Sequence, residues 1–165
     1  MRLRPYIPSK DYDCVQKWIT DEKIHALWCA NLIPYPMTEE KLQSALEKDA
    51  TDWGGCAYVA TADDGALLGF FVLSVNVVNN SGFLKFVVIN NEFRGKGYGA
   101  QMIELIKKYA FEIAGASSIR LNVFDVNLSA RKCYAQNGFI EDGFTENVFV
   151  FHNENWGRCH MVVSK

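Results

Sequence analysis

Cysteines are few in this sequence and show no pairing pattern. There are five, an odd number, and no two of them form a C-x-x-C pair: Cys14, Cys29, Cys56, Cys133 and Cys159. Scattered cysteines of this kind are typical of reduced thiols in a cytoplasmic protein, and they argue against a zinc site or a disulfide framework. We therefore expect no bound metal.

Long apolar runs and an excess of positive charge are also absent. The longest apolar run, residues 66–73, is far shorter than the roughly 20 residues of a membrane-spanning helix. The first residues, Met-Arg-Leu-Arg-Pro-Tyr, lack the apolar stretch of a signal peptide. With 17 Lys and Arg against 19 Asp and Glu, the net charge of −2 provides no broad positive field for a nucleic acid. We expect neither a membrane nor a nucleic acid as a partner.

The rest of the composition is that of a folded domain. The chain has 165 residues, of which 49% are hydrophobic and 13% aromatic. This supports one well-packed core and is too short for two full domains. We predict a single domain over residues 1–165.

The first half of the chain changes from helical to strand periodicity. A strand near residues 3–6 precedes a helix from about Asp11, and a second helix opens at Thr38 after a loop that is rich in aromatic residues. Three β-rich runs follow, separated by turn-forming clusters: residues 57–61, 67–75 and 83–89. They predict an antiparallel meander.

The second half alternates helices and strands. The predicted elements are a long helix over about 97–114, a strand at 118–124, a helix at 127–137, and two strands near 139–145 and 158–163. The fold class is therefore α/β (α+β). We predict a central, mixed but mostly antiparallel sheet of six or seven strands flanked by about four helices.

A glycine-rich turn joins the meander to the long helix. It reads Arg94-Gly95-Lys96-Gly97-Tyr98-Gly99. Alternate glycines let main-chain N–H groups converge, and the helix N-terminus adds free donors and a positive dipole end. Arg94 and Lys96 add local positive charge, which suits a pyrophosphate. On glycine spacing alone, a flexible turn would be the simpler explanation.

Three phosphate-binding motifs compete for this turn. A P-loop requires Ser or Thr after Gly-Lys, and here Gly97 follows Lys96. The dinucleotide motif G-x-G-x-x-A fits Gly95, Gly97 and Ala100, but it belongs to parallel βαβ units and not after a meander. The third pattern, Arg-x-x-Gly-x-Gly, fits Arg94, Gly97 and Gly99 between a strand and a long helix.

A second motif follows the next predicted strand. It reads Asn127-Leu-Ser-Ala-Arg-Lys-Cys-Tyr134 and is followed by Asn137-Gly-Phe139. Together with the third pattern and the order of elements, it resembles the GNAT superfamily of acetyl-CoA-dependent N-acetyltransferases over nearly the whole chain.

The resemblance implies a site for acetyl-CoA as co-substrate. By this resemblance, the strand that ends at residue 89 pairs through its main chain with the pantetheine arm of the cofactor. The glycine turn holds the pyrophosphate, and Asn127 contacts the pantetheine region. The implied cofactor-binding residues are Val87, Val88, Ile89, Arg94, Gly95, Lys96, Gly97, Tyr98, Gly99 and Asn127. Tyr134 is the implied catalytic residue and stands near the sulfur.

The residues themselves allow plainer explanations. Val87, Val88 and Ile89 also fit an ordinary buried strand, and Asn127 fits a helix N-cap, which leaves one amide group for a ligand. Tyr134 lies almost two helical turns after Asn127 and so on the same face, where it also fits a packed aromatic whose hydroxyl requires a polar partner.

This sequence departs from the family at the position of the general base, the residue that would take a proton from the acceptor amine. Several members carry a Glu five residues before the Asn of the motif, and here that position is Asn122, whose amide cannot accept a proton from an ammonium group. Asp125, Glu146 and Glu154 are the nearest acids, and each also fits a solvated charge. A water chain to bulk solvent and capture of the small fraction of neutral amine are equal alternatives, so we assign no base.

By the same resemblance, the acceptor lies between residues 21–37 and the loop over residues 144–156. Cation–π and carboxylate contacts to an amine are available there from Trp28, Tyr35, Phe149, Trp156, Asp21, Glu22, Glu146 and Glu154. The three histidines, His25, His152 and His160, are isolated and fit structural or surface positions.

The resulting prediction is an N-acetyltransferase that moves an acetyl group from acetyl-CoA to a primary amine by direct attack on the thioester. Its acceptor is a small-molecule amine or a protein N-terminal amine, and the protein is a cytoplasmic monomer or homodimer. One alternative is a non-catalytic acyl-CoA-binding or sensing module, which Asn122 keeps open. A nucleotide-dependent oxidoreductase that uses the same glycines is a weaker alternative.

Overall fold

A single seven-stranded sheet carries helices on both faces in the computed structural model, which describes residues 1–165. The strands are β1 (Arg2–Pro5), β2 (Cys56–Thr61), β3 (Leu67–Asn76), β4 (Ser81–Ile89), β5 (Ser118–Phe124), β6 (Ile140–Phe151) and β7 (Glu154–Ser164). The helices are α1 (Pro8–Trp18), α2 (Glu22–Cys29), α3 (Glu39–Trp53), α4 (Tyr98–Lys108) and α5 (Leu128–Gln136). A 3₁₀ turn (Asn91–Phe93) precedes α4, and a π-helical turn (Tyr109–Ile113) extends it.

The sheet is mixed, with one parallel pair. Its strand order is β1-β2-β3-β4-β5-β7-β6, and only β4 and β5 run parallel. Their pairing covers Ser81–Leu84 against Ser118–Leu121 and stops there, although both strands continue. The centre of the sheet therefore opens between β4 and β5. The predicted fold class is confirmed, with seven strands and five helices.

Each face of the sheet has its own core. On one face, α4 and α5 cover a buried cluster that includes Ile106, Leu121, Tyr134 and Met161. On the other face, α1, α2 and α3 cover a second cluster that includes Val15, Leu42 and Phe70. Burial alternates along β4 and β5, because neighbouring side chains of a strand point to opposite faces and the two faces are not covered equally at these positions.

Helix α2 lies inside the segment that the sequence predicts as an aromatic loop. It begins at the N-cap Asp21, whose side chain accepts a hydrogen bond from the Ile24 N–H at 2.8 Å. Only eight residues long, α2 is too short to show a clear helical period. It connects the two sides of the central opening: Trp28 packs with Phe86 of β4, whereas Ala26 packs with Phe124 of β5 and Trp156 of β7.

The last two strands are longer than predicted. Residues 144–156, expected as a loop, form most of a hairpin in which β6 pairs with β7. Cross-strand aromatic packing stabilises this extension: the ring of Trp156 stacks on those of Phe149 and Phe151, with centroids 5.4 and 5.0 Å apart. No helix in the structure combines the length and apolar character needed to cross a membrane.

Candidate functional site

The opening between β4 and β5 exposes a strand edge in the middle of the sheet. Beyond Leu84, β4 has no strand partner on its β5 side, although it still pairs with β3 on the other side. Helix α4 begins close to the open end of β4, and α5 begins close to the open end of β5. The unpaired main-chain groups of β4 therefore lie beside two helix N-termini.

A bulge in β4 orients this edge. Phe86 has a φ of 51°, and the β3 pairing shifts register there. The Trp28 indole N–H donates to the Phe86 carbonyl at 2.7 Å, which ties α2 to the bulge. An aromatic residue with a left-handed backbone conformation is unusual inside a strand, and bulges of this kind are common next to functional sites.

The direction of each main-chain group after the bulge follows from strand alternation. The Asn90 N–H donates to the Leu68 carbonyl of the neighbouring β3 side at 2.9 Å. The main-chain N–H and C=O groups of Val88, two residues earlier, also point toward β3. Those of Val87 and Ile89 therefore point the other way, into the opening. The Arg94 Nε–H donates to the Ile89 carbonyl at 3.2 Å, in agreement with this direction. The Val87 N–H and C=O and the Ile89 N–H remain on the open edge.

The glycine turn lies at the end of this edge. Gly95 and Gly97 adopt φ values of 73° and 83°, where a side chain would be strained, and both sites face open space. Gly97 is the N-cap of α4, and no side chain caps that helix. The first N–H groups of α4 are thus available to an anion beside the exposed Arg94 and Lys96.

Gly99 sets the spacing between this turn and its neighbours. A Cβ atom at Gly99 would lie 3.5 Å from the Cys133 Sγ of α5 and 3.7 Å from the Ile89 side chain. The first turn of α4 therefore packs against both sides of the opening. The residues predicted to hold the cofactor meet around one cleft, with Val88 contributing its side chain to the core and Val87 and Ile89 facing the cleft with their main chain.

Asn127 caps α5 and keeps one group free. Its Oδ1 accepts hydrogen bonds from the Ala130 N–H and the Ser129 hydroxyl, both at 3.3 Å. Its Nδ2 makes no hydrogen bond within the protein. The N-cap interpretation and the ligand interpretation of Asn127 are thus compatible in this geometry.

Tyr134 carries a phenol without a partner. The side chain is 8% exposed and packs against Phe139 in the core on the α4 and α5 face. Its hydroxyl makes no hydrogen bond within the protein. Burial raises the pKa of Tyr134 above its ordinary value, so the hydroxyl keeps its proton at neutral pH. The hydroxyl oxygen is not among the fully buried atoms without a partner, so it is accessible, and it is suited to donate to a ligand atom in the cleft.

Asn122 is part of a hydrogen-bonded chain that sequence reasoning missed. It is the first residue of β5 after the pairing with β4 ends. The His160 Nδ1 lies 2.7 Å from the Asn122 Oδ1, and the His160 Nε2 lies 2.9 Å from the Thr145 hydroxyl oxygen. These three residues come from β5, β7 and β6, and no spacing in the sequence indicates that they are neighbours.

The acids suggested as bases are engaged elsewhere or exposed. The Asp125 Oδ1 accepts from the N–H groups of Val126 and Gly157, both at 2.9 Å. Glu154 pairs with Lys23 at 3.0 Å and accepts from the Trp156 indole at 2.9 Å, which lowers the pKa of its carboxyl. Glu146 is exposed on β6. Neither the hydrogen bonds nor the exposure of these three acids identifies one of them as the general base.

The predicted acceptor residues divide between core and surface. Trp28 and Trp156 are buried, and Phe149 packs against Trp156. Asp21 is the N-cap of α2, and Glu22 lies 3.5 Å from the His152 Nε2. Tyr35 remains 47% exposed. No three His, Cys, Asp or Glu side chains converge in a way that could hold a metal ion.

Residues 20–139 match the sequence model of the acetyltransferase (GNAT) family. The chain belongs to this family. The resemblance found in the two motifs is thereby confirmed, and acyltransferase, the predicted class of enzyme, is the class of the family.

Two further comparisons agree. An uncharacterised N-acetyltransferase of Methanocaldococcus jannaschii is 32% identical over 84 residues, which cover 51% of this chain and 52% of that protein. The match spans about half the length of that curated relative. Spermidine N-acetyltransferase from Vibrio cholerae in complex with CoA and spermine has the same fold, with a TM-score of 0.83 at 22% identity, covering 99% of this chain and 94% of that one. A chimera of that enzyme gives a TM-score of 0.80 at 21% identity over 99% and 94% of the two chains.

Proposed function

We propose that the protein transfers an acetyl group from acetyl-CoA to a small-molecule amine. The observation that carries this proposal is the unpaired edge of β4, which runs from the Phe86 bulge to the glycine turn. The side chains of Val87 and Ile89 on this edge pack against the cluster that contains Tyr134. Acetyl-CoA carries a thioester on a long arm that ends in a pyrophosphate. The open edge of β4 is suited to the arm, the glycine turn to the pyrophosphate, and the Tyr134 hydroxyl to the sulfur of the thioester.

The cleft residues fit such a co-substrate. The main-chain groups of Val87 and Ile89 are positioned to pair with the amide-containing arm. The free Asn127 Nδ2 supplies a further donor. The N–H groups after Gly97, with Arg94 and Lys96, are suited to the pyrophosphate. Acetyl-CoA, when bound, supplies the acetyl group as a reactive thioester.

Two groups of the protein are suited to assist the transfer. The Ile89 N–H faces the opening and can stabilise negative charge on the acetyl oxygen. Tyr134 is suited to protonate the departing sulfur, because its phenol is neutral at pH 7 and has no hydrogen-bond partner in the protein. Ordinary pKa values of a phenol and a thiol are about 10 and 8.5. Burial raises the pKa of Tyr134 and widens this gap, so the transfer to sulfur is completed by the return of a proton to the phenol from the acylated nitrogen.

The acceptor is a cationic amine of low molecular mass in this proposal. The protein is slightly acidic overall, and the fold neighbours include a spermidine N-acetyltransferase. An aminoglycoside or a peptide N-terminus would meet the same chemistry. We therefore test the three amine classes side by side.

A thermal-shift experiment tests co-substrate binding. Acetyl-CoA at one hundred times its dissociation constant should stabilise the protein by about 2.7 kcal/mol, or roughly 5–10 °C in Tm for a chain of this size. NAD and NADP should give no shift. A normal melt with no shift on addition of acetyl-CoA would contradict the proposal, and a shift with NADP alone would favour the oxidoreductase alternative.

Release of free CoA thiol then tests the transfer itself. The acceptors are spermidine, kanamycin and a short peptide with a free amino terminus, each added with acetyl-CoA. We expect thiol release that depends on at least one of these amines. Acetyl-CoA binding without amine-dependent release would support the sensing module, the alternative that Asn122 in place of Glu favours.

A further inference from the structure

One extra residue in β4 marks the point where this strand leaves β5. The register with β3 shifts between Phe70 and Val72, so that one residue of β3 lies opposite two residues of β4. The first of these two, Phe86, has the left-handed φ of 51°, a conformation that glycine usually supplies in bulges of this kind. Such a conformation strains a bulky residue and persists only where the surrounding structure holds it.

The extra residue reverses the direction of the groups that follow it. Leu84 packs in the cluster covered by α4 and α5, and strand alternation alone would place Phe86 and Val88 there as well. Both belong instead to the cluster on the α1 to α3 face, whereas Val87 and Ile89 pack toward α4 and α5. Main-chain direction alternates together with side-chain direction. The bulge is therefore also what turns the main-chain groups of Val87 and Ile89 into the opening.

The indole of Trp28 holds the bulge through a buried hydrogen bond. Its N–H donates to the Phe86 carbonyl at 2.7 Å. Trp28 is 9% exposed, and its ring packs on those of Phe70 and Phe86, with centroids 6.1 and 5.7 Å apart. These ring contacts fix the position of the indole and the direction of its N–H. Without the N–H, the Phe86 carbonyl would lose this bond in the core, and the loss would fall on the bulged conformation.

An ion pair holds the residue before the bulge. The Lys85 ammonium pairs with the Asp49 carboxylate of α3, and the two side chains are 16% and 12% exposed. Lys85 and Phe86 are neighbours in β4, yet both side chains lie on the α1 to α3 face, which agrees with a bulge at this point. The ion pair fixes a side chain, whereas the Trp28 bond holds a main-chain group of the bulge itself.

We propose that Trp28 is a positioning residue for the co-substrate: its bond to Phe86 holds the bulge that directs the Val87 and Ile89 main chain toward the pantetheine arm of acetyl-CoA. This rests on the proposed function. Removing the N–H should weaken binding of the arm. The glycine turn lies at the start of α4, so its affinity for a pyrophosphate should not depend on Trp28.

Trp28→Phe removes the N–H, and Trp18→Phe is the matched control. Trp18 is 4% exposed in the same core cluster, and its indole makes no hydrogen bond within the protein. In calorimetric titrations, Trp28→Phe should raise the dissociation constant of acetyl-CoA about tenfold, the scale of one hydrogen bond. Trp18→Phe should leave it unchanged. The affinity for ADP, which has a pyrophosphate but no pantetheine arm, should be the same in both variants and the wild type.

An isosteric replacement separates the hydrogen bond from the packing. Trp28→benzothienylalanine keeps the size of the ring and puts a sulfur atom, which cannot donate, in place of the N–H. We expect the same loss of acetyl-CoA affinity as in Trp28→Phe, in a protein whose core remains filled. This variant decides the outcome if Trp28→Phe does not fold.

Several results would overturn the role of Trp28 and leave the proposed function intact. They are wild-type acetyl-CoA affinity in Trp28→benzothienylalanine, equal losses in Trp28→Phe and Trp18→Phe, and a loss of ADP affinity as large as that of acetyl-CoA. A change confined to the KM for the amine would also overturn it, because Trp28 would then act on the acceptor. A folded wild type that does not bind acetyl-CoA would contradict the proposed function itself.

Discussion

At the scale of single residues, Tyr134 combines a buried ring with a hydroxyl that has no hydrogen-bond partner in the protein. Its ring is part of the core, yet its hydroxyl makes no hydrogen bond within the protein. A phenol that had only a packing role would be expected to have a polar partner. The hydroxyl oxygen is instead open to solvent, where a ligand in the cleft can reach it.

Substituting Tyr134 by Phe removes the proton donor and keeps the packing. We expect Tyr134→Phe to lower kcat by at least about tenfold, with the acetyl-CoA dissociation constant unchanged. Steady-state kinetics and a binding titration measure the two quantities. Tyr109→Phe, which removes a hydroxyl bonded to that of Tyr58 at 3.0 Å, is the matched control and should keep its rate. An unchanged kcat in Tyr134→Phe would exclude this residue from the chemistry.

At the scale of elements, the glycine turn and the start of α4 form the proposed anion site. Gly97 has a left-handed φ of 83° and open space around its Cα. An added methyl group meets no atom there, so any effect comes from the backbone conformation. The turn must keep this conformation for its N–H groups to converge.

Gly97→Ala should cost about 1 kcal/mol of stability and also weaken acetyl-CoA binding, because the strained turn no longer presents its N–H groups. Gly65→Ala is the matched control: Gly65 has a φ of 89° and is equally open, but it lies in the β2–β3 turn. Thermal melts and acetyl-CoA titrations compare the two. Equal acetyl-CoA affinity in both variants would contradict an anion site at Gly97.

The first strand and first helix are held together by an ion pair between the half-buried Arg4 and the buried Asp11. Asp11 is 1% exposed, accepts from both Arg4 terminal nitrogens at 2.8 and 2.7 Å, and accepts from the Ile7 N–H at 2.8 Å. Burial by itself would raise the pKa of Asp11, but the bonds from Arg4 and Ile7 lower it below the ordinary value. The pair therefore stabilises the fold above about pH 4 and loses this effect as the pH falls.

Asp11→Asn should lower the free energy of unfolding by about 1.5 kcal/mol at pH 7, because it weakens the charge-assisted hydrogen bonds from Arg4, whose side chain is 36% exposed and stays solvated. Urea unfolding measures the change. Asp13→Asn, an exposed position of the same helix, should have almost no effect. Similar unfolding midpoints for the two variants would show that the ion pair does not stabilise the fold.

The sequence predicts most elements because their signals are local. Thr38 caps α3, Asn127 caps α5, and the strand over residues 118–124 has the predicted limits. Helix α2 and the long β6–β7 hairpin depend on contacts between distant segments, such as that of Ala26 with Trp156. The same holds for the site: the glycine turn is one continuous segment, whereas Asn122, Thr145 and His160 meet only through strand pairing.

At the scale of the whole molecule, the phenols of the half-buried Tyr6 and Tyr58 and of the buried Tyr134 make stability depend on alkaline pH. Burial is the main cause that raises the pKa of Tyr6, Tyr58 and Tyr134 above the ordinary value. In the unfolded chain these groups ionise near pH 10, whereas in the folded protein they stay neutral to higher pH. The folded state is therefore favoured fully below about pH 10 and progressively less above it.

We expect Tm to be nearly constant from about pH 8 to about pH 9.5 and to fall steeply above about pH 10. Tyr134→Phe should show a shallower fall, because one of the raised groups is gone. Thermal melts across this range measure both. A Tm independent of pH up to about pH 11 would contradict the burial of these hydroxyls.

The central claim concerns the molecule as a whole: the cleft between β4 and β5 is proposed to bind acetyl-CoA and to be the place where its acetyl group is transferred to an amine. Mass spectrometry of the amine after incubation with acetyl-CoA and the wild-type protein tests it most directly. The account predicts a monoacetylated amine and one equivalent of free CoA, with both reduced in Tyr134→Phe. A folded protein that binds acetyl-CoA and leaves spermidine, kanamycin and the peptide unmodified would contradict it.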